Sequence, residues 1–356
     1  MDSTYIGSFG RLRVYQTEFF SRQQIDQMLS MSDPKDVSAF LYNGPYREDF
    51  DSLSAIFKDP ELTEMAVNRH MVRNNRIALF SVPPLAKNAI TAYLSKWDIE
   101  NIKTVISAKF LGHGIRDAEP FLISFRDVPL GIMTGTLTNE DYRNMINLSN
   151  VEAILNYLAR FGYGTYMMQF LEDYRKTGDI SPMLYSLDRY YYMNLISSLK
   201  YYRGDEGPVL NYVRSEIDRQ NIVTMLKGKV LKISFERISS GIMEGGNIST
   251  GKLREIYSSQ DVISVVDSLR PYYDLEPQKK EYQESNDLYH FDIARRNIIA
   301  RRYMDTMSML PLSLDSIFYF ILKSEFERHN VRTIYLSKVN GMPREIAEKL
   351  LITEMV

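Results

Sequence analysis

Apolar residues recur at helical spacing along most of this 356-residue chain. In the segment that starts at Asn150, NVEAILNYLARFGYGTYMMQFLEDY, apolar side chains return every three or four positions, which is the period of one face of an α-helix. Strict two-residue alternation is confined to short stretches such as Phe121 to Phe125. The pattern therefore predicts an all-α fold. Two polar stretches, Arg203–Pro208 and Glu276–Asp287, are predicted to be loops.

The chain contains no segment with the composition of a membrane-spanning helix. The most apolar stretch, Pro311 to Leu322, carries Asp315 and is shorter than the roughly 18 uncharged residues that such a helix needs, so we interpret it as a buried helix. The first residues, MDSTYIGSFGRLR, lack the apolar run of a signal peptide. We therefore expect a soluble, cytoplasmic protein whose connection to a membrane, if it has one, is made by another protein.

One short pattern occurs three times, and the copies begin 120 and 109 residues apart. Each copy has an acidic residue, an asparagine three positions later, a branched aliphatic residue directly after it, a threonine, and a lysine at the end. The residues that define the three motifs are Asp98, Asn101 and Lys109 in WDIENIKTVISAK, Asp218, Asn221 and Lys229 in IDRQNIVTMLKGK, and Glu327, Asn330 and Lys338 in FERHNVRTIYLSK. Repetition at this interval predicts three domain-sized homologous units.

A second recurrent block opens each unit. It begins with a residue suited to cap a helix (Ser21, Thr138 or Ser249), and apolar residues at helical spacing follow. Ser21 and Gln24 together match a capping box. Glycine-rich hinges precede the second and third blocks, at Gly131–Gly135 and Gly241–Gly246. The predicted units are therefore 1–130, 131–240 and 241–356, and the sequence leaves open whether they are arranged linearly or around an axis.

Each motif places its polar residues on the same helical stripe as branched aliphatic residues. Because buried polar groups need partners, we expect the carboxylate and the amide to bond to a neighbouring helix or to a loop backbone, with a structural role. The alternative interpretation is a binding site built three times. Lys109 lies about three turns from Asp98 and cannot pair with it, so its partner lies elsewhere or it is solvated.

Composition removes several classes of chemistry. A formal net charge of -2 provides no basic face for nucleic acid, and the absence of cysteine excludes disulfides and thiolate sites. The segment Gly246 to Lys252 matches the start of a phosphate-binding loop, but Leu253 stands where the metal-binding hydroxyl is needed, so we interpret the segment as a helix-capping loop. The four histidines share no metal-ligand spacing. We expect no catalytic residue, no metal and no cofactor.

The three motifs, with RLRVYQTEFFSRQQIDQML near the start and NVRTIYLSKVNGMPREIAEKLL near the end, resemble the C-subunit family of A-type and V-type ATP synthases, whose member in the eukaryotic V-ATPase is the d subunit. The resemblance implies three helical units around a pseudo-threefold axis, forming a funnel. It also implies a non-catalytic rotor adaptor that joins the central stalk subunits of the soluble ATPase sector to the membrane proteolipid ring. Such an adaptor transmits torque for proton or sodium transport and is peripheral at the membrane.

We also hypothesise that the hinge loops contribute to a partner surface, through Gly131, Gly135, Gly241 and Gly245. Two other functions compete with the rotor adaptor. One is an unrelated helical-repeat scaffold that binds proteins, although units of this length are long for a solenoid. The other is an all-α enzyme whose central pocket would use Asp98, Asp218 and Glu327, the equivalent acidic residues of the three motifs.

Overall fold

The computed structural model describes residues 3–112, 137–200 and 206–353. Throughout these ranges the regular structure is helical and contains no strand, which confirms the all-α prediction. Phe121 to Phe125, the one stretch in which alternation suggested a strand, lies outside the described residues. In the described part of the chain, no helix is both long enough and apolar enough to cross a bilayer.

The described residues form twenty α-helices, numbered here in chain order. The first ten are α1 Ile6–Gln16, α2 Arg22–Ser30, α3 Pro34–Tyr42, α4 Arg47–Leu53, α5 Glu61–Ser81, α6 Lys87–Leu94, α7 Lys96–Phe110, α8 Asn139–Asn147, α9 Val151–Ala159 and α10 Tyr163–Met168. The others are α11 Leu171–Thr177, α12 Ser181–Lys200, α13 Glu206–Val230, α14 Phe235–Ile238, α15 Thr250–Tyr257, α16 Val262–Leu269, α17 Glu276–Ser285, α18 Tyr289–Ser308, α19 Leu314–Val339 and α20 Arg344–Lys349. Short 3₁₀ helices occupy Ser3–Tyr5, Pro84–Ala86 and Ser239–Gly241.

The chain divides into two compact bodies. The terminal body comprises Met1–Lys87, Gly204–Tyr212 and Arg270–Val356, and the middle body comprises Asn88–Arg203 and Val213–Leu269. The terminal body therefore unites the two ends of the sequence. The predicted division into three units, at residues 130 and 240, stays a prediction.

In the terminal body, the long helices α5 and α19 pack against each other along much of their length. Val67 and Met71 of α5 are buried, as are Phe318 and Ile321 of α19. The first part of α19 is almost completely shielded from solvent, which confirms the prediction of a buried helix there. Asp315 lies in the first turn of α19, where negative charge is favoured, and its carboxylate accepts a hydrogen bond from Ser313 Oγ at 3.1 Å. Ser313 also caps the helix by accepting from the backbone N–H of Asp315 at 3.1 Å.

In the middle body, α7 packs against α8, α9 and α12, and α10 packs against α9 and α12. The core between these helices is made of aliphatic side chains such as Ile102, Ile154 and Leu187, which are all fully buried. Close packing of this kind fixes the orientation of the motif residues on α7 and α13, since each shares its helix with core residues.

Each opening block begins at the residue expected from the sequence. Ser21 and Gln24 form the predicted capping box at the start of α2. Thr138 forms a second capping box with Asp141 at the start of α8. Ser249 caps α15 by accepting a hydrogen bond from the backbone N–H of Lys252. A side-chain oxygen at this position satisfies a backbone donor that a helix start leaves unpaired.

Both loop predictions were wrong for most of the residues that the structure describes, although Asn286 and Asp287 do lie outside a helix. The residues from Glu206 onward belong to α13, because Pro208 falls in the first turn, where its missing N–H costs no helical hydrogen bond. The polar run from Glu276 is helix α17, with a proline in its first turn and Asn286 ending it in a left-handed conformation, φ 59°. A polar composition therefore did not exclude a helix, since Glu, Gln and Lys are good helix formers.

Candidate functional site

The third motif contacts the start of the chain within the terminal body. Glu327 on α19 accepts a hydrogen bond from the backbone N–H of Phe20 at 2.6 Å and another from the hydroxyl of Tyr46 at 2.9 Å. Lys338, three turns further along α19, donates to the carbonyl oxygen of Leu29 at 2.8 Å. The two ends of one motif therefore bind the two ends of the first opening block, residues 20–30.

Asn330 of the same motif fixes the end of the chain. Its amide nitrogen donates to the carbonyl of Ile352 at 3.0 Å, and its amide oxygen accepts from the N–H of Ile352 at 2.8 Å. This two-way pairing satisfies both groups of a side chain that is almost fully buried, and it substitutes for a backbone partner.

The first motif makes the corresponding contacts in the middle body. Asp98, which is 3% exposed, accepts a hydrogen bond from the hydroxyl of Tyr142 on α8 at 2.9 Å. Lys109 donates to the carbonyl of Ile146 in the last turn of α8 at 3.0 Å. Asn101 lies buried between them on α7. The first motif therefore holds α8, the opening helix of the second block.

The second motif holds the loop that leads into the third block. Asp218 is completely buried and accepts hydrogen bonds from the backbone N–H groups of Asn247 and Ile248, at 3.1 and 3.0 Å. Asn221 pairs in both directions with the backbone of Met243, at 2.7 and 2.8 Å. Lys229 donates to the carbonyl of Ser259, just beyond the end of α15, at 2.7 Å.

The three lysines have the same physical role. Each places its ammonium group at the C-terminal end of an opening helix, where unpaired carbonyl groups carry partial negative charge. The order of the contacts is cyclic in the sequence: the first motif holds the second opening helix, the second holds the third, and the third holds the first.

A buried polar network surrounds Glu327. The ring of Tyr46 stacks on that of His70 with a centroid distance of 3.8 Å, and His70 Nδ1 lies 2.9 Å from Asp49 Oδ2. Burial raises the pKa of Glu327 above its usual value, although His70, the hydrogen bonds that it accepts and Lys323 act in the opposite direction. Burial also raises the pKa of Tyr46, and the carboxylate of Glu327 adds to that shift. The carboxyl group of Glu327 and the hydroxyl of Tyr46 are therefore shielded from solvent, and their pKa values depend on the neighbouring protein groups.

A model of the family described as ATP synthase (C/AC39) subunit matches residues 9–350. The chain belongs to this ATP synthase subunit family. It is 85% identical over 356 residues to the A-type ATP synthase C subunit of Thermoplasma acidophilum, with both chains covered in full. The identity to the A-type ATP synthase C subunit of Thermoplasma volcanium is 60%, again over both full lengths. The similar protein of Methanocaldococcus jannaschii is 23% identical, over 96% of this chain and 85% of its own. The resemblance seen in the motifs is confirmed.

Of the four hinge glycines that were predicted to contribute to a partner surface, Gly131 and Gly135 lie outside the described residues. Gly241 lies against the ring of Tyr185, where an added Cβ would come within 3.2 Å. Gly245 has φ 96°, and a Cβ there would approach Ile196 Cδ1 to 2.7 Å. Gly245 therefore requires glycine for its backbone conformation, whereas a side chain at Gly241 would need the ring of Tyr185 to move slightly. The contribution of both glycines to a partner surface stays a prediction.

The segment from Gly246 to Lys252 is a helix-capping loop, as predicted. A phosphate would need the backbone N–H groups that follow Gly246, but Asp218 already occupies those of Asn247 and Ile248. A Cβ on Gly246 would lie 2.2 Å from Asp218 Oδ1, so the loop and the carboxylate are in direct contact. In the described ranges, no three potential metal-binding side chains come together.

Sequence reasoning missed the tyrosines that meet the motif carboxylates. Neither Tyr142, which occupies an apolar position of the second opening block, nor Tyr46 was singled out from the sequence. Burial, reinforced by the carboxylate of Asp98, raises the pKa of Tyr142 well above its usual value. The other two opening blocks have an aliphatic residue at the position of Tyr142. This difference is the one signal in the sequence that could have indicated a polar partner for Asp98.

Proposed function

We propose that this chain is a non-catalytic rotor adaptor. In this role it joins the central stalk subunits of the soluble ATPase sector to the membrane proteolipid ring and transmits torque that is coupled to proton or sodium transport. Membership of the ATP synthase (C/AC39) subunit family and the full-length similarity to an A-type ATP synthase C subunit support the assignment to such a complex. The chain would be cytoplasmic and held at the membrane through the other subunits.

The observation that carries the mechanical part of the proposal is the cyclic order of the motif contacts. In a linear array of three units, the last motif would have no opening helix left to bind. Here Lys338 binds the carbonyl of Leu29, 309 residues earlier, as Lys109 and Lys229 bind the ends of the next opening helices. This order favours three units closed around a pseudo-threefold axis, and a funnel is the form in which such a closed set can receive a shaft.

Torque transmission requires that load on one unit be passed to the next without local unfolding. The motif contacts suit that requirement, because each links one long helix to both ends of another block through buried or charged hydrogen bonds. Buried polar contacts with all partners present favour one arrangement over slipped alternatives. In each motif the acidic residue and the lysine, which lie three turns apart on the helix, bind different points of the next block, so each joint is held at two separate places.

Recovery of the tagged full chain from native membranes after mild detergent extraction tests the proposal. We expect the nucleotide-binding ATPase subunits and the proteolipid to be recovered together with it. Recovery of the intact chain without both would contradict the adaptor role. A second measurement tests whether the chain couples ATP hydrolysis to ion transport. Removal of the chain should abolish ATP-driven ion transport in vesicles, while ATP hydrolysis by the soluble sector persists. Addition of the chain should restore transport.

A further inference from the structure

Exposed apolar residues directly follow each motif lysine. Phe110 and Leu111 are 42% and 63% exposed, and Val230 and Leu231 are 48% and 67% exposed. In the third motif the equivalent residues are Val339, which is 38% exposed, and the polar Asn340. We call these pairs the helix tips. The motif lysine beside each tip is bonded to the next opening helix, so each tip is held rigidly at the surface.

The chain reverses at the same position after every tip. The residue three places beyond the motif lysine has a positive φ in all three copies: 69° at Gly112, 53° at Lys232 and 62° at Gly341. Glycine adopts this conformation without strain, whereas a lysine does not. The second tip therefore retains a strained, charged residue where its two counterparts have glycine. Strain of this kind is commonly kept where the side chain has a function.

The second tip also carries two cationic residues. Lys227 and Lys232 lie on either side of Val230 and Leu231, and both lysines are exposed. Within the described ranges, neither ammonium group lies within ion-pair distance of a carboxylate. They are placed near a helix C-terminus, where the partial negative charge of the last carbonyl groups favours cations. A partner that covers this tip must therefore offer apolar contact together with negative charge.

We propose that residues 227–232 are a docking surface for an acidic protein surface, one that places carboxylates beside a small apolar contact area. The inference rests on the proposed function, and the partner is another subunit of the same ATP synthase. An anionic lipid surface fits less well, because two apolar side chains at a blunt helix end bury too little area for stable insertion. The same small contact is adequate as one part of a larger protein interface.

The test uses the Lys232→Gly variant, since it removes the charge and relieves the backbone strain at once. The variant and the wild-type chain are added to ATP synthase that has been depleted of this subunit, and binding is measured as a function of salt. We expect Lys232→Gly to unfold at a higher temperature than the wild type but to bind about tenfold more weakly at low salt, with a shallower salt dependence. A double variant, Val230→Ser with Leu231→Ser, should also weaken binding, whereas Lys280→Ala, at an exposed lysine on α17, should leave it unchanged.

The outcomes distinguish the inference from the function on which it rests. If the wild-type chain binds and Lys232→Gly binds equally well, the docking surface is refuted and the adaptor function is not. If the wild-type chain does not bind the depleted complex, the adaptor function is refuted and the docking surface with it. A third arm uses vesicles of anionic phospholipid without protein. If the wild-type chain binds them and the variants lose that binding to the same extent, the surface is for lipid and the proposal is overturned.

Discussion

The second and third motifs use the same type of residue in two very different settings. Asp218 accepts hydrogen bonds from Asn247 and Ile248, which follow it by 29 and 30 residues. Glu327 accepts its backbone hydrogen bond from Phe20, which is 307 residues away. In the middle body the carboxylate orders a nearby loop, whereas in the terminal body it holds the two ends of the chain together.

The choice of side chain follows from that difference. The loop at Asp218 packs so closely that a Cβ on Gly246 would overlap the carboxylate, which leaves room only for the shorter acid. Glu327 must reach two donors on separate elements, the N–H of Phe20 and the hydroxyl of Tyr46, and the additional methylene provides that reach. The comparison teaches that the repeated acid is a general acceptor whose length is adapted to the distance between the elements that it joins.

The largest effect is expected for Asp218→Ala. It leaves the N–H groups of Asn247 and Ile248, the second of which is buried, without this acceptor, and this should lower the free energy of unfolding by about 3 kcal/mol. Urea unfolding followed by helical circular dichroism measures the change. Glu244→Ala, at an exposed carboxylate in the loop before the third block, is the control and should change stability by less than about 0.5 kcal/mol. A loss below about 1 kcal/mol for Asp218→Ala would refute the assigned role.

Shortening the acid of the third motif is expected to have the next largest effect. Glu327→Asp keeps the charge but cannot reach both Phe20 and Tyr46, so it should cost about 1.5 kcal/mol through the loss of one charged hydrogen bond. Amide hydrogen exchange at Phe20 provides a local measurement, since its N–H should become less protected. Unchanged protection would show that the length of the side chain does not matter here.

Substitutions at the two positive-φ residues that follow the second and third motif helices test how the backbone conformation there affects stability. Gly341→Ala should lower stability by about 1 kcal/mol, because alanine disfavours φ 62° and the added Cβ meets no atom within 4 Å that could offset the cost. Lys232→Gly should change the melting temperature in the opposite direction. If the two variants shifted the melting temperature in the same direction, the backbone conformation could not be the cause of both effects.

The smallest expected effect is a pH dependence at Glu327. Burial raises the pKa of Glu327 in the folded protein above its usual 4.5, so the folded state binds its proton more tightly than the unfolded state does. This contribution to stability is complete below pH 4.5 and is lost as the pH rises through the raised pKa. The wild type should therefore lose stability relative to Glu327→Gln over that interval. Glu244→Gln controls for the removal of one carboxylate. If the wild type became more stable relative to Glu327→Gln as the pH rises, the prediction would be contradicted.

Local features of the fold were predictable from short stretches of sequence. The capping box of Ser21 and Gln24 and the buried first part of α19 follow from residues within a few positions of one another. The prediction was wrong for Glu276–Asp287, where polar residues were interpreted as a loop although they include good helix formers and a proline suited to a first turn. The partners of Glu327 were not predictable, because nothing near it in the sequence identifies Phe20 or Tyr46.

The sequence by itself determined that the chain is helical, where its repeated motifs lie and which residues start the opening helices. Those properties depend on periodicity, capping and backbone preference, which act over a few residues. Only the tertiary structure decided which groups the motif side chains bind and that the third motif returns to the first block. A hydrogen bond such as that between Glu327 and Phe20 spans 307 residues, and it forms only because the packing of α5 against α19 and their neighbours first brings the two ends of the chain together.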